Sequence, residues 1–142
     1  MNKTVATAES CTGGLLGALL TETPGTSDYY LGGVIAYHNH VKRALLGVSA
    51  SVLRTYGAVS EETAAKMAQG VRKKFSADIG ISITGIAGPS GGTKEKPVGL
   101  VYIGLAEAKR VRCERFLFTG SRLKIRAQAA RKALEWLRRE LL

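Results

Sequence analysis

At 142 residues the chain is sized for one domain with a hydrophobic core of its own, and 45% hydrophobic against 23% charged residues excludes a disordered or fibrous polymer. The net charge of +10 is placed unevenly: five of the 21 Lys and Arg precede residue 72 and sixteen lie from Arg72 onward, a bias suited to an anionic ligand. Two cysteines in unrelated contexts cannot build a disulfide framework or a zinc site. No run has the length of a membrane span or a signal peptide, which predicts a soluble cytoplasmic protein with no membrane partner.

Lys3 to Ala8 alternates small apolar and polar residues as a strand does, and a helix is predicted from about Thr12 to Thr21, closed by Thr23-Pro24-Gly25. Between them lies Ala8-Glu9-Ser10-Cys11-Thr12-Gly13-Gly14, where a strand-to-helix corner would expose a serine beside unpaired backbone N–H groups and a helix dipole. Such a corner suits an oxyanion or a phosphate. An ordinary helix cap would use the same residue types. Leu31 to Tyr37 reads as a second strand, leading through His38-Asn39-His40 into a short helix from Val41 to Leu46 that Gly47 closes. Another short helix starts near Ser49 and stops at Gly57. Ser60 then caps a helix to about Phe75, with Ala64, Met67, Ala68, Val71 and Phe75 facing inward.

Ile79-Gly80-Ile81-Ser82-Ile83 is a cleanly alternating strand that delivers the loop Thr84-Gly85-Ile86-Ala87-Gly88-Pro89-Ser90-Gly91-Gly92. Its small residues would let backbone N–H groups line a pocket; a plain connector has the same composition. Val98–Ala106 and Arg110–Phe118 predict a hairpin. Ser121 caps a last helix to Leu142 with a stripe of Ala127, Ala130, Leu134, Leu137 and Leu141. Strands joined by helices and closed by a hairpin predict a three-layer α/β/α sandwich around a mixed, mostly parallel sheet of about five strands. Ligands of such sheets gather at the carboxyl ends of the strands, which groups Ser10, Tyr37 and Thr84 into one site.

A serine nucleophile needs a base. His38 and His40 lack an accompanying aspartate and a third ligand, and read as surface histidines, so no metal is expected. Lys42 is the alternative, because a desolvated lysine can lose its proton near neutral pH. Tyr37 would serve as a hydrogen-bonding relay. Cys11 is a rival nucleophile, or a packing residue. The basic half carries neither the glycine-aromatic motif of RNA-binding sheets nor zinc-finger spacing, so nucleic acid is not the expected partner.

Five segments in order carry a resemblance: the run from Ala8 to Gly14, Ala36-Tyr37-x-Asn39-x-Val41-Lys42-x-x-Leu45-Leu46-Gly47-Val48, Gly57-Ala58-Val59-Ser60, Thr84 to Pro89, and Lys96-Pro97-Val98-Gly99. Together they resemble the CinA C-terminal domain family, which includes PncC-like nicotinamide-nucleotide amidases. The resemblance implies hydrolysis of the carboxamide of nicotinamide mononucleotide to nicotinate mononucleotide and ammonia, with no cofactor. Ser10 would be the nucleophile, Lys42 the general base and Tyr37 an aid to proton transfer. Glu9, Cys11, Thr12, Gly13, Gly14, Asn39, Thr84, Gly85, Ala87 and Gly88 would surround the substrate, and Arg122 or Arg126 would meet its phosphate. A non-catalytic nucleotide- or anion-binding module is the alternative. The family usually carries a helix ahead of the first strand, and Met1 here stands almost at that strand, which predicts an uncovered sheet face or cover in a homo-oligomer. Gly120-Ser121-Arg122 stands where Gly-Asp-Arg is typical, and His38 and His40 flank Asn39 where the family varies.

Overall fold

The computed structural model describes residues 2–142. Its elements run β1 (Val5–Glu9), α1 (Leu15–Leu20), a 3₁₀ turn (Thr26–Asp28), β2 (Tyr30–Ile35), α2 (Asn39–Leu46), α3 (Ala50–Tyr56), α4 (Glu61–Phe75), β3 (Ile79–Gly85), β4 (Leu100–Ala106), β5 (Val111–Leu117) and α5 (Arg122–Leu141). The sheet order is β2-β1-β3-β4-β5. β1 pairs parallel with both β2 and β3, while β4 is antiparallel to both of its neighbours, so four strands point one way and β4 alone is reversed.

Alternation within β1 and β3 sorts two cores. Val5, Ile79, Ile81 and Ile83 meet Leu16 and Leu20 of α1 and Ile125, Ala129, Ala133 and Leu137 of α5 on one face. Ala6 and Ala8 meet Leu46 of α2 and Met67 and Val71 of α4 on the other. Small residues let α4 settle close to its face: Ser82 Oγ donates to the Ala64 carbonyl at 2.6 Å, and a Cβ on Gly104 would lie 2.7 Å from that carbonyl. Helices therefore cover both faces. Cover thins on the α1 side toward the edge strand β2, where Leu31 and Ile35 stay 46% and 56% exposed. No helix among the described residues is long and apolar enough to cross a membrane.

Gly70 shows how tightly the helices meet, since a Cβ there would be driven into the Leu46 carbonyl at the end of α2. Alanine gains about 1 kcal/mol of helix propensity over glycine. Overpacking against an immobile backbone costs about 3 kcal/mol. Gly70→Ala is thus expected to lose about 2 kcal/mol net, read as a lower urea midpoint at unchanged slope.

Two predicted features differ from the structure. α1 begins at Leu15 and not Thr12, because Gly13 and Gly14 take φ of 60° and 109°, left-handed values that a right-handed helix cannot contain. The buried face of α5 runs through Ile125, Ala129, Ala130, Ala133, Trp136 and Leu137, so Ala127, Leu134 and Leu141 are only partly covered. Ser49, Ser60 and Ser121 cap α3, α4 and α5 by accepting from the N–H groups of Val52, Thr63 and Lys124.

Candidate active site

The chain leaves β1 toward one neighbour and later returns to β1's other side as β3. α1 packs on one face and α2 on the other, so the loops after β1 and β2 diverge and open a crevice at the strands' carboxyl ends. Ser10 is the first residue beyond β1, fixed by its N–H to the Ile83 carbonyl at 3.0 Å, while Ala36 N–H bonds the Glu9 carbonyl at 2.7 Å. Parallel register therefore sets Ser10, Tyr37 and Thr84 around one cavity of about 240 Å³, whose wall also includes Cys11, Asn39, Lys42, Ala58, Val59, Gly85, Ala87 and Arg122.

Lys42 enters this cavity from the second turn of α2 and is only 1% exposed. Its Nζ lies 3.0 Å from Ser10 Oγ, 2.9 Å from the Ala36 carbonyl and 3.0 Å from the Tyr37 carbonyl. No carboxylate forms an ion pair with it among the described residues. Burial therefore disfavours the ammonium, and the Lys42 pKa falls to about 8. A neutral amine has two N–H donors and one lone pair. Two carbonyls and one hydroxyl match that set: the carbonyls take the donors and leave the lone pair for the Ser10 proton.

Tyr37 contributes to this cluster through its main chain. The residue is 59% exposed, and its hydroxyl accepts from Arg122 Nη2 at 3.1 Å while Arg122 Nη1 donates to the Gly88 carbonyl at 2.7 Å. The phenol thus stands at the cavity mouth with Arg122, not between Ser10 and Lys42. Thr84, 1% exposed, donates its hydroxyl to the Ala58 carbonyl at 2.7 Å and so ties the wall segment before α4 to the end of β3. Cys11 borders the cavity, yet burial pushes its thiol up to about 11, which leaves it protonated and a weak nucleophile.

Other expected substrate contacts lie elsewhere. The Glu9 carboxylate accepts from Leu16 N–H at 2.8 Å and Gly17 N–H at 3.0 Å, so it occupies the start of α1 where an anion was expected. Six residues long and already capped, α1 offers its dipole to no ligand. Gly13, Gly14 and Thr12 shape the turn behind Ser10 without forming the cavity wall, and the fully buried Thr12 hydroxyl has no partner among the described residues. Arg126 points at that turn: Nε bonds the Cys11 carbonyl at 3.0 Å and Nη2 the Thr12 carbonyl at 3.1 Å. Gly88 meets Arg122 only through its carbonyl. Asn39 lines the cavity at the first turn of α2, whereas His38 caps that helix by accepting from His40 N–H at 3.0 Å, and both histidines are exposed. No group of three or more His, Cys, Asp and Glu among the described residues is placed to hold a metal. Ala58 and Val59 were missed as wall residues; their position just before the Ser60 cap, in a segment quoted for the resemblance, was the available signal.

Comparison with known proteins agrees with this architecture. Residues 1–141 match the family model for the CinA C-terminal domain. The chain is 52% identical over 141 residues to a putative competence-damage inducible protein of Clostridium novyi, covering 99% of this chain and 34% of that protein. It is 56% identical over 144 residues to a CinA-like protein of Gloeothece citriformis, with coverage of 99% and 34%. The chain thus spans about a third of the length of these relatives. Among solved structures, the competence/damage inducible protein CihA of Agrobacterium tumefaciens superposes with a TM-score of 0.93 at 43% identity over 96% of this chain and 84% of that one. The competence damage-inducible protein A of Klebsiella pneumoniae gives 0.94 at 36% identity over 99% and 87%. With the family model matched across nearly every residue and the fold shared with those structures, the chain belongs to the CinA C-terminal domain family.

Proposed function

We propose that the chain is a serine amidohydrolase that converts the carboxamide of nicotinamide mononucleotide to the carboxylate, giving nicotinate mononucleotide and ammonia. The observation that carries this reading is the 3.0 Å contact between Ser10 Oγ and the buried Lys42 amine, which pairs with no carboxylate among the described residues. Lys42 in its neutral form takes the hydroxyl proton as Ser10 Oγ bonds to the carboxamide carbon, and the C=O electrons move onto oxygen. Collapse of that tetrahedral species re-forms C=O and breaks the C–N bond, the nitrogen leaving as ammonia with the proton from Lys42. Water then attacks the acyl-Ser10 ester, again yielding a proton to Lys42, and release of the carboxylate restores the Ser10 hydroxyl. Every step uses groups of the chain and water, so the reaction calls for no metal or organic cofactor.

The cavity lining supports a planar aromatic amide. Val59, Ala58 and Ala87 offer apolar and small surfaces to a ring, while Arg122 at the mouth keeps guanidinium donors near the Tyr37 hydroxyl for a phosphate. Exposed Arg122 thus takes the phosphate role in this reading, since it lines the cavity, whereas Arg126 lies outside the wall and holds the carbonyls of the turn after β1.

The test is incubation of the purified chain with nicotinamide mononucleotide, following ammonia and nicotinate mononucleotide together. Equimolar appearance of both at a rate proportional to protein is the expected result. Tight nucleotide binding with no turnover would replace the amidase with a non-catalytic binding module.

A further inference from the structure

Two successive carbonyls of the turn after β1 are gripped from outside the cavity by a side chain that no step above uses. Arg126, on the second turn of α5, reaches Cys11 O and Thr12 O through separate guanidinium nitrogens, at 3.0 and 3.1 Å. Gly13 leaves room for this approach, because a Cβ there would stand 3.2 Å from Arg126 Nη2. A charged, planar fork holding two acceptors fixes peptide orientation more firmly than a neutral single bond.

Of the turn's residues only Ser10 and Cys11 border the cavity, and Thr12 is fully buried, so the main-chain donor at the wall is the Cys11 N–H, held in place by the grip on the carbonyl of the same residue. Gly13 N–H is committed to Ser10 O and Leu15 N–H to Thr12 O. The N–H groups of Cys11, Thr12 and Gly14 bond no other residue among those described, and of these three residues only Cys11 borders the cavity. Free, fixed N–H groups beside a nucleophile are what a developing oxyanion requires.

We infer that Arg126 is a positioning residue for the oxyanion, its two-carbonyl grip fixing the turn that presents the Cys11 N–H to the carboxamide oxygen that becomes negative when Ser10 attacks. This deepens the amidase reading and rests on it. It also replaces the expectation that Arg126 binds the substrate phosphate.

Arg126→Met and Arg126→Lys in the whole chain test it, with thermal melts to confirm folding. Arg126→Met should lower kcat roughly 10²-fold while KM for nicotinamide mononucleotide stays within about twofold and the pH midpoint is unmoved. Arg126→Lys should fall between, since an ammonium holds one carbonyl, and added guanidinium should restore part of the Arg126→Met loss. Should the methionine variant fail to fold, the lysine variant carries the same comparison. A raised KM at unchanged kcat would return Arg126 to phosphate binding and overturn the inference, as would unchanged kinetics.

A fluorophosphonate separates this outcome from failure of the amidase reading. Ser10 Oγ bonds its phosphorus, the P–F bond breaks, fluoride leaves and the hydroxyl proton passes to Lys42, with no nucleotide involved. If the wild type leaves nicotinamide mononucleotide intact but is labelled, slower labelling of Arg126→Met by roughly 10²-fold still upholds the inference and equal rates overturn it. A wild type inert to both reagents removes the reactive Ser10 and the inference with it.

Discussion

Ser10→Ala is expected to lower ammonia release from nicotinamide mononucleotide by roughly 10⁴-fold or more while leaving the fold and nucleotide affinity intact. The substitution deletes one oxygen at a site 7% exposed, and the partners that fix the turn are main-chain groups: Ser10 N–H on Ile83 O and Gly13 N–H on Ser10 O. Lys42 would keep its two carbonyl partners, so the cavity wall survives. What disappears is the only hydroxyl within hydrogen-bond reach of the Lys42 amine among the described residues. Stopped ammonia assays set against calorimetric titration with the nucleotide separate chemistry from binding. Full hydrolysis by Ser10→Ala would transfer the attack to a water molecule and end the covalent mechanism. Cys11 is a poor substitute nucleophile in that variant, because its desolvated thiol stays protonated at pH 7.

The same residues explain how far the sequence could be read. Isoleucines at 79, 81 and 83 alternate with small residues because one face of β3 meets α1 and α5 while the other lies under α4, and that two-fold period is written in the chain. Serine caps at 49, 60 and 121 are equally local signals. Grouping Ser10, Tyr37 and Thr84 needed only parallel strands of matched register. The placements of Tyr37, Glu9 and Arg126 were not legible, because each depends on where a side chain points after folding. Whether a tyrosine offers its hydroxyl or its carbonyl to Lys42 depends on the direction in which the chain leaves β2. The resemblance placed Glu9 among the substrate contacts, but its carboxylate accepts from the first N–H groups of α1, away from the cavity wall. Arg126 lies 115 positions from Cys11, and nothing local to α5 encodes that meeting.

Lys42→Met is expected to reduce kcat/KM by about 10³-fold and to erase its dependence on pH near 8. In the wild type the active form carries a neutral amine, so log kcat/KM should climb with unit slope below pH 8 and flatten above it. Methionine fills similar space without a lone pair to accept the Ser10 proton. A second readout needs no substrate. Burial lowers the Lys42 pKa from its ordinary value of 10.5 to about 8 in the folded chain. Below pH 8 folded and unfolded chains both hold the proton; between about 8 and 10.5 the unfolded chain alone holds it, so stability must rise with pH across that window. The slope attributable to this one group is at most about 1.4 kcal/mol per pH unit. Urea unfolding at a series of pH values, wild type against Lys42→Met, isolates it, because other titrations are common to both chains. A difference that stays flat from pH 8 to 10 would mean that Lys42 keeps an ordinary ammonium despite its burial, and the general base would then have to be sought elsewhere in the cavity.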